Sequence, residues 1–358
     1  MFESFGFENL TAPQAAPWLG LMIGLAFGLL AELTGLCFRR AVTGRAETRR
    51  PALGLWMAAL GTAVLGTQGA AIAGLVDFGG HRFLASDLPV LAILAGGAMF
   101  GAGMVLARGC LSRLTVLTGS GNLRAALVLL VAALVAHATL KGVLAPLRVA
   151  LSDVTLPLGG SLAALPGGAL TWAALIAAGA FALACCSGAG RGRLALAALL
   201  GLLVPAAWLG TGFLLYDDFD PIPLAGLAFT GPAAETLFWS AASTAIAPGF
   251  GVGLIGGVVA GAAASALAAG RFRWQSFEGP GQTGRYLAGA VLMGTGGVLA
   301  GGCTVGAGLA GIPTLGVSTI LAVLAIAGGA LATETALNGR SRVGYAGSSA
   351  RQEAPQRG

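Results

Sequence analysis

The chain is 358 residues long, 56% hydrophobic and only 9% charged, with 60 glycines and a formal net charge of +6 at pH 7. This composition excludes an ordinary water-soluble enzyme; uncharged runs such as LAILAGGAMFGAGMVLA belong to an all-α polytopic membrane protein. Lys141 is the only lysine, and the arginines cluster between apolar segments, so the positive charge reports topology and not a nucleic-acid surface.

Residues 1–16 are polar, carry Glu3 and Glu8, and lack the basic and then apolar layout of a cleavable signal peptide, so they are expected to form a periplasmic segment. Apolar segments follow at 17–36, 52–75, 89–107, 123–141, 162–186, 193–215, 249–269, 285–300 and 315–337, each near the ~20 residues that cross the hydrocarbon core. Gly20, Gly24 and Gly28 in the first, and Gly253, Gly257 and Gly261 in the seventh, have the GxxxGxxxG spacing of close helix packing, within the chain or between copies of it. Residues 231–245 are too short to cross, contain Glu235 and lie between Pro232 and Pro248; they are expected to be re-entrant, buried in protein or lining a cavity.

The basic loops set the orientation. Arg39, Arg40, Arg45, Arg49 and Arg50 follow the first segment, Arg191 and Arg193 precede the sixth, and Arg271, Arg273 and Arg285 precede or open the eighth. Placing these loops in the cytoplasm puts the N-terminus in the periplasm and leaves 338–358, with Arg340, Arg342, Arg351 and Arg357, as a flexible basic cytoplasmic tail. Residues 17–337 then form one transmembrane domain of about nine helices plus short re-entrant pieces.

Aligned without gaps, 94–110 and 287–303 share ten identities in seventeen positions, including Gly101 with Gly294, Gly103 with Gly296, Gly109 with Gly302 and Cys110 with Cys303. The third and eighth segments cross in opposite directions, so the two copies are antiparallel. That predicts an internal inverted repeat, with halves at about 17–160 and 225–337 and a site between them near the midplane.

Cys37, Cys110 and Cys303 share a setting: each stands at or just past the end of an apolar segment, with Gly35, Gly109 or Gly302 at or near the preceding position. Glycine there lets the chain turn and present N–H groups and a thiol to a cavity. Glu32 and Arg108 lie close enough in sequence to line the same cavity, Arg108 either as a substrate contact or as a snorkelling topology charge. Cys185 and Cys186 read as incidental packing. His81 and His137 have no ligand-spaced partners, so no metal site is expected; neither CxxC nor GxxxxGK[ST] occurs, and no cofactor or catalytic centre is expected.

The segments GLCFRRAV, GAGMVLARGCLSRL and GTGGVLAGGCTVGAGLAG, in that order, resemble the YeeE/YedE family of bacterial thiosulfate transporters, with its sulphur-transport domain, over roughly residues 17–337. The resemblance implies a multi-pass inner-membrane protein that takes up thiosulfate or a related sulphur oxyanion along a path lined by Cys37, Cys110 and Cys303, with Thr304 completing the third motif. It also implies a TusA-like sulphur-carrier protein as a partner. Two other readings of the cysteines remain open: a transmembrane thiol-disulfide carrier, and a sulphur-responsive signalling protein without flux.

Overall fold

In hydrocarbon every backbone N–H and C=O needs a partner within its own segment, so apolar runs of this length become helices. The computed structural model describes residues 11–217, 220–277 and 279–352, with side chains described to 338. Among them are thirteen α-helices: α1 (Ala12–Thr34), α2 (Phe38–Thr43), α3 (Ala46–Ile72), α4 (Val90–Leu106), α5 (Leu111–Gly119), α6 (Leu123–Lys141), α7 (Ala145–Ser152), α8 (Gly168–Cys185), α9 (Arg191–Leu209), α10 (Thr230–Ala241), α11 (Phe250–Ala268), α12 (Pro280–Leu299) and α13 (Val317–Gln352). A π-helix, Thr304–Gly311, follows α12, and two two-residue strands, Asp87–Leu88 and Leu156–Pro157, pair antiparallel in the loops.

Nine stretches among the described residues are long and apolar enough to cross a membrane: 12–43, 46–72, 90–119, 123–141, 168–185, 191–214, 250–268, 280–314 and 317–338. Each overlaps one of the nine segments expected from sequence, but many ends shift, and the first, third and eighth run on to 43, 119 and 314 through a break in the helix. The first helix starts at Ala12 instead of 17, because the Gln14 side-chain Oε1 accepts the Thr11 N–H at 3.2 Å and Pro17 is accommodated within its early turns. The last continues helical to Gln352, beyond the start of the tail expected at 338. α10 has 12 residues, about 18 Å of helix, well short of the ~30 Å core. It follows a loop whose Leu227 and Phe229 are fully buried, so the chain dips into the bundle before turning back as α10.

Small residues set the helix contacts. Gly20, Gly24 and Gly28 lie against 250–262 of α11 in increasing order, so α1 and α11 run parallel and their glycine rows serve packing within the chain. The α4–α12 crossing is antiparallel, with Gly96 against Gly296 and Gly103 against Gly289. The 193-residue offset between the two copies exchanges these two contacts, carrying Gly96 to Gly289 and Gly103 to Gly296. An approximate two-fold relation therefore passes through this crossing, the geometry of an inverted repeat.

Candidate functional site

Three of the nine crossings are broken in the same way. In each, a long helix ends, one residue turns left-handed, and two residues later a cysteine in extended conformation caps a shorter helix. The left-handed residues are Gly35 (φ 64°), Arg108 (φ 60°) and Gly301 (φ 74°), and the capping residues are Cys37 before α2, Cys110 before α5 and Cys303 before the π-helix. The turn thus lies one residue earlier than the Gly-Cys sequences suggested. Gly109 and Gly302 have no positive φ; a side chain at Gly302 would stand 2.9 Å from the Ala307 nitrogen, whereas one at Gly109 would meet only ordinary contacts. In the first motif Gly35 itself supplies the left-handed turn, and the Arg40 guanidinium donates to its carbonyl.

The three thiols are buried and unbridged. Cys303 Sγ accepts the Gly306 N–H at 3.3 Å, a thiol cap on the π-helix. Cys110 Sγ lies 3.2 Å from Ser112 Oγ and within electrostatic range of Cys37. The Thr304 hydroxyl faces Cys110 from the other half of the chain, outside hydrogen-bond geometry, and is a buried oxygen with no partner. Residues 303 and 304 therefore stand between the two sides: Thr304 looks toward Cys110, and Cys303 borders a large cavity.

That cavity, about 1140 Å³, has Gly301, Gly302, Cys303 and Gly306 on its lining, with Gly226–Ala228, Thr230 and Gly249–Val252 around them and Asp77, His81, Arg82 and Lys141 also bordering it. Cys37 and Cys110 do not line it. The N-termini of α10, α11 and the π-helix all border the cavity, and their first-turn N–H groups, apart from that of Gly306, which Cys303 Sγ accepts, carry partial positive charge suited to an anion, while the Glu235 carboxylate borders it too. Arg82, stacked over the Phe83 ring at 5.2 Å, and Lys141 add full charges. His81, edge-on to Phe83 and Trp208, is held neutral: burial and then the adjacent Arg82 lower its pKa from 6.5 to about 4.

The opposite end of the bundle carries different chemistry. Glu32 on α1 lies 3.6 Å from Arg113 on α5 and 3.8 Å from Arg271, an ion cluster whose carboxylate is 11% exposed. Arg108 is exposed and borders a separate cavity of about 110 Å³ with Asn122, Arg124 and Tyr286. Glu32 and Arg108 are thus placed apart from the cavity that reaches Cys303. Sequence reading missed Arg113, which lies three residues after Cys110 in the first turn of α5, treated Arg271 as a topology charge and gave Lys141, at the end of the fourth segment, no role. Their spacing gave no signal, since the partners are brought together only by the crossing of α1, α5 and α11.

The pattern of the Sulphur transport family matches residues 33–332. The chain is similar to the thiosulfate transporter TsuA of Spirochaeta thermophila, with 27% identity over 322 residues covering 85% of this chain and 94% of that relative. Buried cysteines at broken helices, nine apolar crossings and a match running through all but the ends of the helical bundle converge on one conclusion: the chain belongs to the YeeE/YedE-type sulphur-transport family.

Proposed function

We propose that this protein carries thiosulfate across the bacterial inner membrane into the cytoplasm. The observation that carries the proposal is the pairing of Cys303 on the large cavity with Thr304 facing Cys110 behind it, which makes a short relay of soft and hard hydrogen-bonding groups across the break between the two halves. The similarity to a protein named a thiosulfate transporter supports the choice of ion. Arginine-rich loops mark the cytoplasmic face, with the N-terminus and the large cavity periplasmic and the C-terminus cytoplasmic. Residues 17–337 act as one transport domain, with halves at about 17–160 and 225–337 closing around the path.

Thiosulfate is a dianion with a soft terminal sulphur and three hard oxygens. Helix N-termini and glycine N–H groups hold the oxygens, and a neutral thiol donates a weak S–H hydrogen bond to the sulphur. A thiolate would repel the ion: two like unit charges ~4 Å apart cost about 4 kcal/mol at an effective dielectric constant of 20. Several weak donors in series suit transport, because the ion must leave as well as enter. Cys303 receives the ion, Cys110 and Cys37 take it next, and Gly35, Gly109 and Gly302 keep the backbone open beside them. Glu32, neutralised by Arg113 and Arg271, borders the exit, and Arg108 offers a positive charge on the cytoplasmic side, where a TusA-like carrier collects the sulphur.

Uptake of sulphur-labelled thiosulfate into proteoliposomes tests the assignment of the path. Cys303→Ala and Cys110→Ala should each reduce the initial rate to near background while the protein stays folded, and the double change Cys185→Ala/Cys186→Ala should leave it intact. Transport that survives Cys303→Ala but not the double change would overturn the path. Cysteines that instead cycle through a disulfide under a redox partner, without thiosulfate flux, would favour a thiol-disulfide carrier.

A further inference from the structure

One polar group on the periplasmic cavity is not explained by the three cysteine motifs. Thr230 is the first residue of α10 and borders the cavity; it is 5% exposed, and its hydroxyl oxygen is buried without a hydrogen-bond partner. Several buried threonines return the hydroxyl to the carbonyl four residues back, as Thr115 does to Leu111, Thr139 to Val135 and Thr211 to Ala207, whereas Thr67 inside α3 is buried without a partner but does not border the cavity. Thr230 has no helical turn before it, so this bond is not open to it. The hydroxyl packs against Gly297 of α12, which also lines the cavity and where a methyl group would crowd the oxygen at 2.7 Å.

The repeat gives this position a meaning. The 193-residue offset that carries Cys110 to Cys303 brings the start of α5 at Leu111 onto Thr304, the start of α6 to within one residue of Val317, and the start of α2 to within one residue of Thr230. Under the same offset Cys37 falls on Thr230. Thr230 is therefore the fourth member of the set: the first half writes thiols at both positions, whereas the second writes a hydroxyl and a thiol, Thr230 and Cys303. Both members of the second pair line the same cavity.

We propose that Thr230 is a specificity-determining residue that donates its hydroxyl to an oxygen of the entering sulphur oxyanion, at a site where Cys303 addresses the terminal sulphur. The proposal rests on the thiosulfate reading above and adds a side-chain hydroxyl on the cavity itself, beside Cys303. A hydroxyl matches a sulphonate-type oxygen better than a thiol does, and the N-termini of α10 and the π-helix supply the surrounding positive potential.

The test compares the wild type with Thr230→Val and Thr230→Ser in three measurements: thermal unfolding in detergent without ligand, equilibrium binding of labelled thiosulfate to the purified protein, and uptake into proteoliposomes. Thr230→Val removes a hydroxyl that has no protein partner, so its unfolding temperature should not fall. Its thiosulfate affinity and uptake should fall about tenfold or more, the worth of a hydrogen bond to a charged group, and Thr230→Ser should restore both. Wild-type-like binding by Thr230→Val would overturn the proposal. So would a loss of binding shared by Thr230→Ser and accompanied by a lowered unfolding temperature, since that marks a packing role. A wild type that binds thiosulfate but carries none would refute transport, and the binding comparison would still decide the role of Thr230. A wild type that does not bind thiosulfate at all would overturn both.

Discussion

Gly296→Ala tests whether the antiparallel crossing of α4 and α12 is the rigid frame that positions Cys110 and Cys303. A methyl group at Gly296 would stand 2.6 Å from both the Gly96 carbonyl oxygen and the Phe100 nitrogen, and 3.1 Å from the Met99 Cβ. Ordinary contact begins near 3.4 Å, so the helices must part by about 0.8 Å. The obstructing atoms are backbone and cannot swing aside. Overpacking of this kind costs about 1–3 kcal/mol, set against the ~1 kcal/mol that alanine gains over glycine in helix propensity. The expected net effect is a destabilisation of about 1–2 kcal/mol, with a larger loss of transport because Cys303 lies only seven residues further on, just past the end of α12. Gly284→Ala is the control: it lies in the same helix with nothing within 4 Å of an added methyl, so propensity alone should hold or raise its stability. Thermal unfolding of the purified protein, followed by labelled-thiosulfate uptake, reads both effects. If Gly296→Ala proved as stable and as active as Gly284→Ala, the crossing would not be the tight frame described.

Two further outcomes follow from the backbone and the cavity. Arg108 holds a left-handed conformation (φ 60°) at the position where the second copy has Gly301, so Arg108→Gly should raise stability by about 1 kcal/mol; a lower unfolding temperature would mean that the guanidinium anchors its end of the bundle by more than the strain it causes. His81 has its folded pKa lowered to about 4 by burial and by Arg82, so between pH 6.5 and 4 the unfolded chain takes up a proton that the folded one refuses. Stability should therefore fall as pH drops through that window, and His81→Gln should remove part of the fall; parallel pH profiles for the wild type and the variant would contradict the assignment.

The crossings were legible because hydrocarbon thickness fixes their length and leaves no alternative to helix. The antiparallel relation of α4 and α12 was legible because the Gly-Cys phrase repeats in segments of opposite direction. The position of each chain break was less so. Glycine directly before Cys110 and Cys303 drew the turn to that residue, whereas the structure makes it one position earlier and at Arg108 uses a residue that sequence rules would not assign to a left-handed backbone. The start of α1 was hidden because the apolar run used to place the crossing begins at 17, whereas Thr11 and Gln14 open the helix earlier. Contacts made across the fold left no local trace: the Glu32–Arg113–Arg271 cluster and the approach of Thr304 to Cys110 each join residues from distant segments.

The most direct test of the central claim is the initial rate of labelled-thiosulfate uptake into proteoliposomes of the purified wild-type protein, measured against empty liposomes and with excess unlabelled sulfate as competitor. Paired soft and hard donors along the path predict saturable uptake well above the liposome background that sulfate, lacking a terminal sulphur, inhibits only weakly. Uptake no greater than the background would contradict transport by this chain, and uptake abolished by sulfate as readily as by unlabelled thiosulfate would contradict recognition through the thiols.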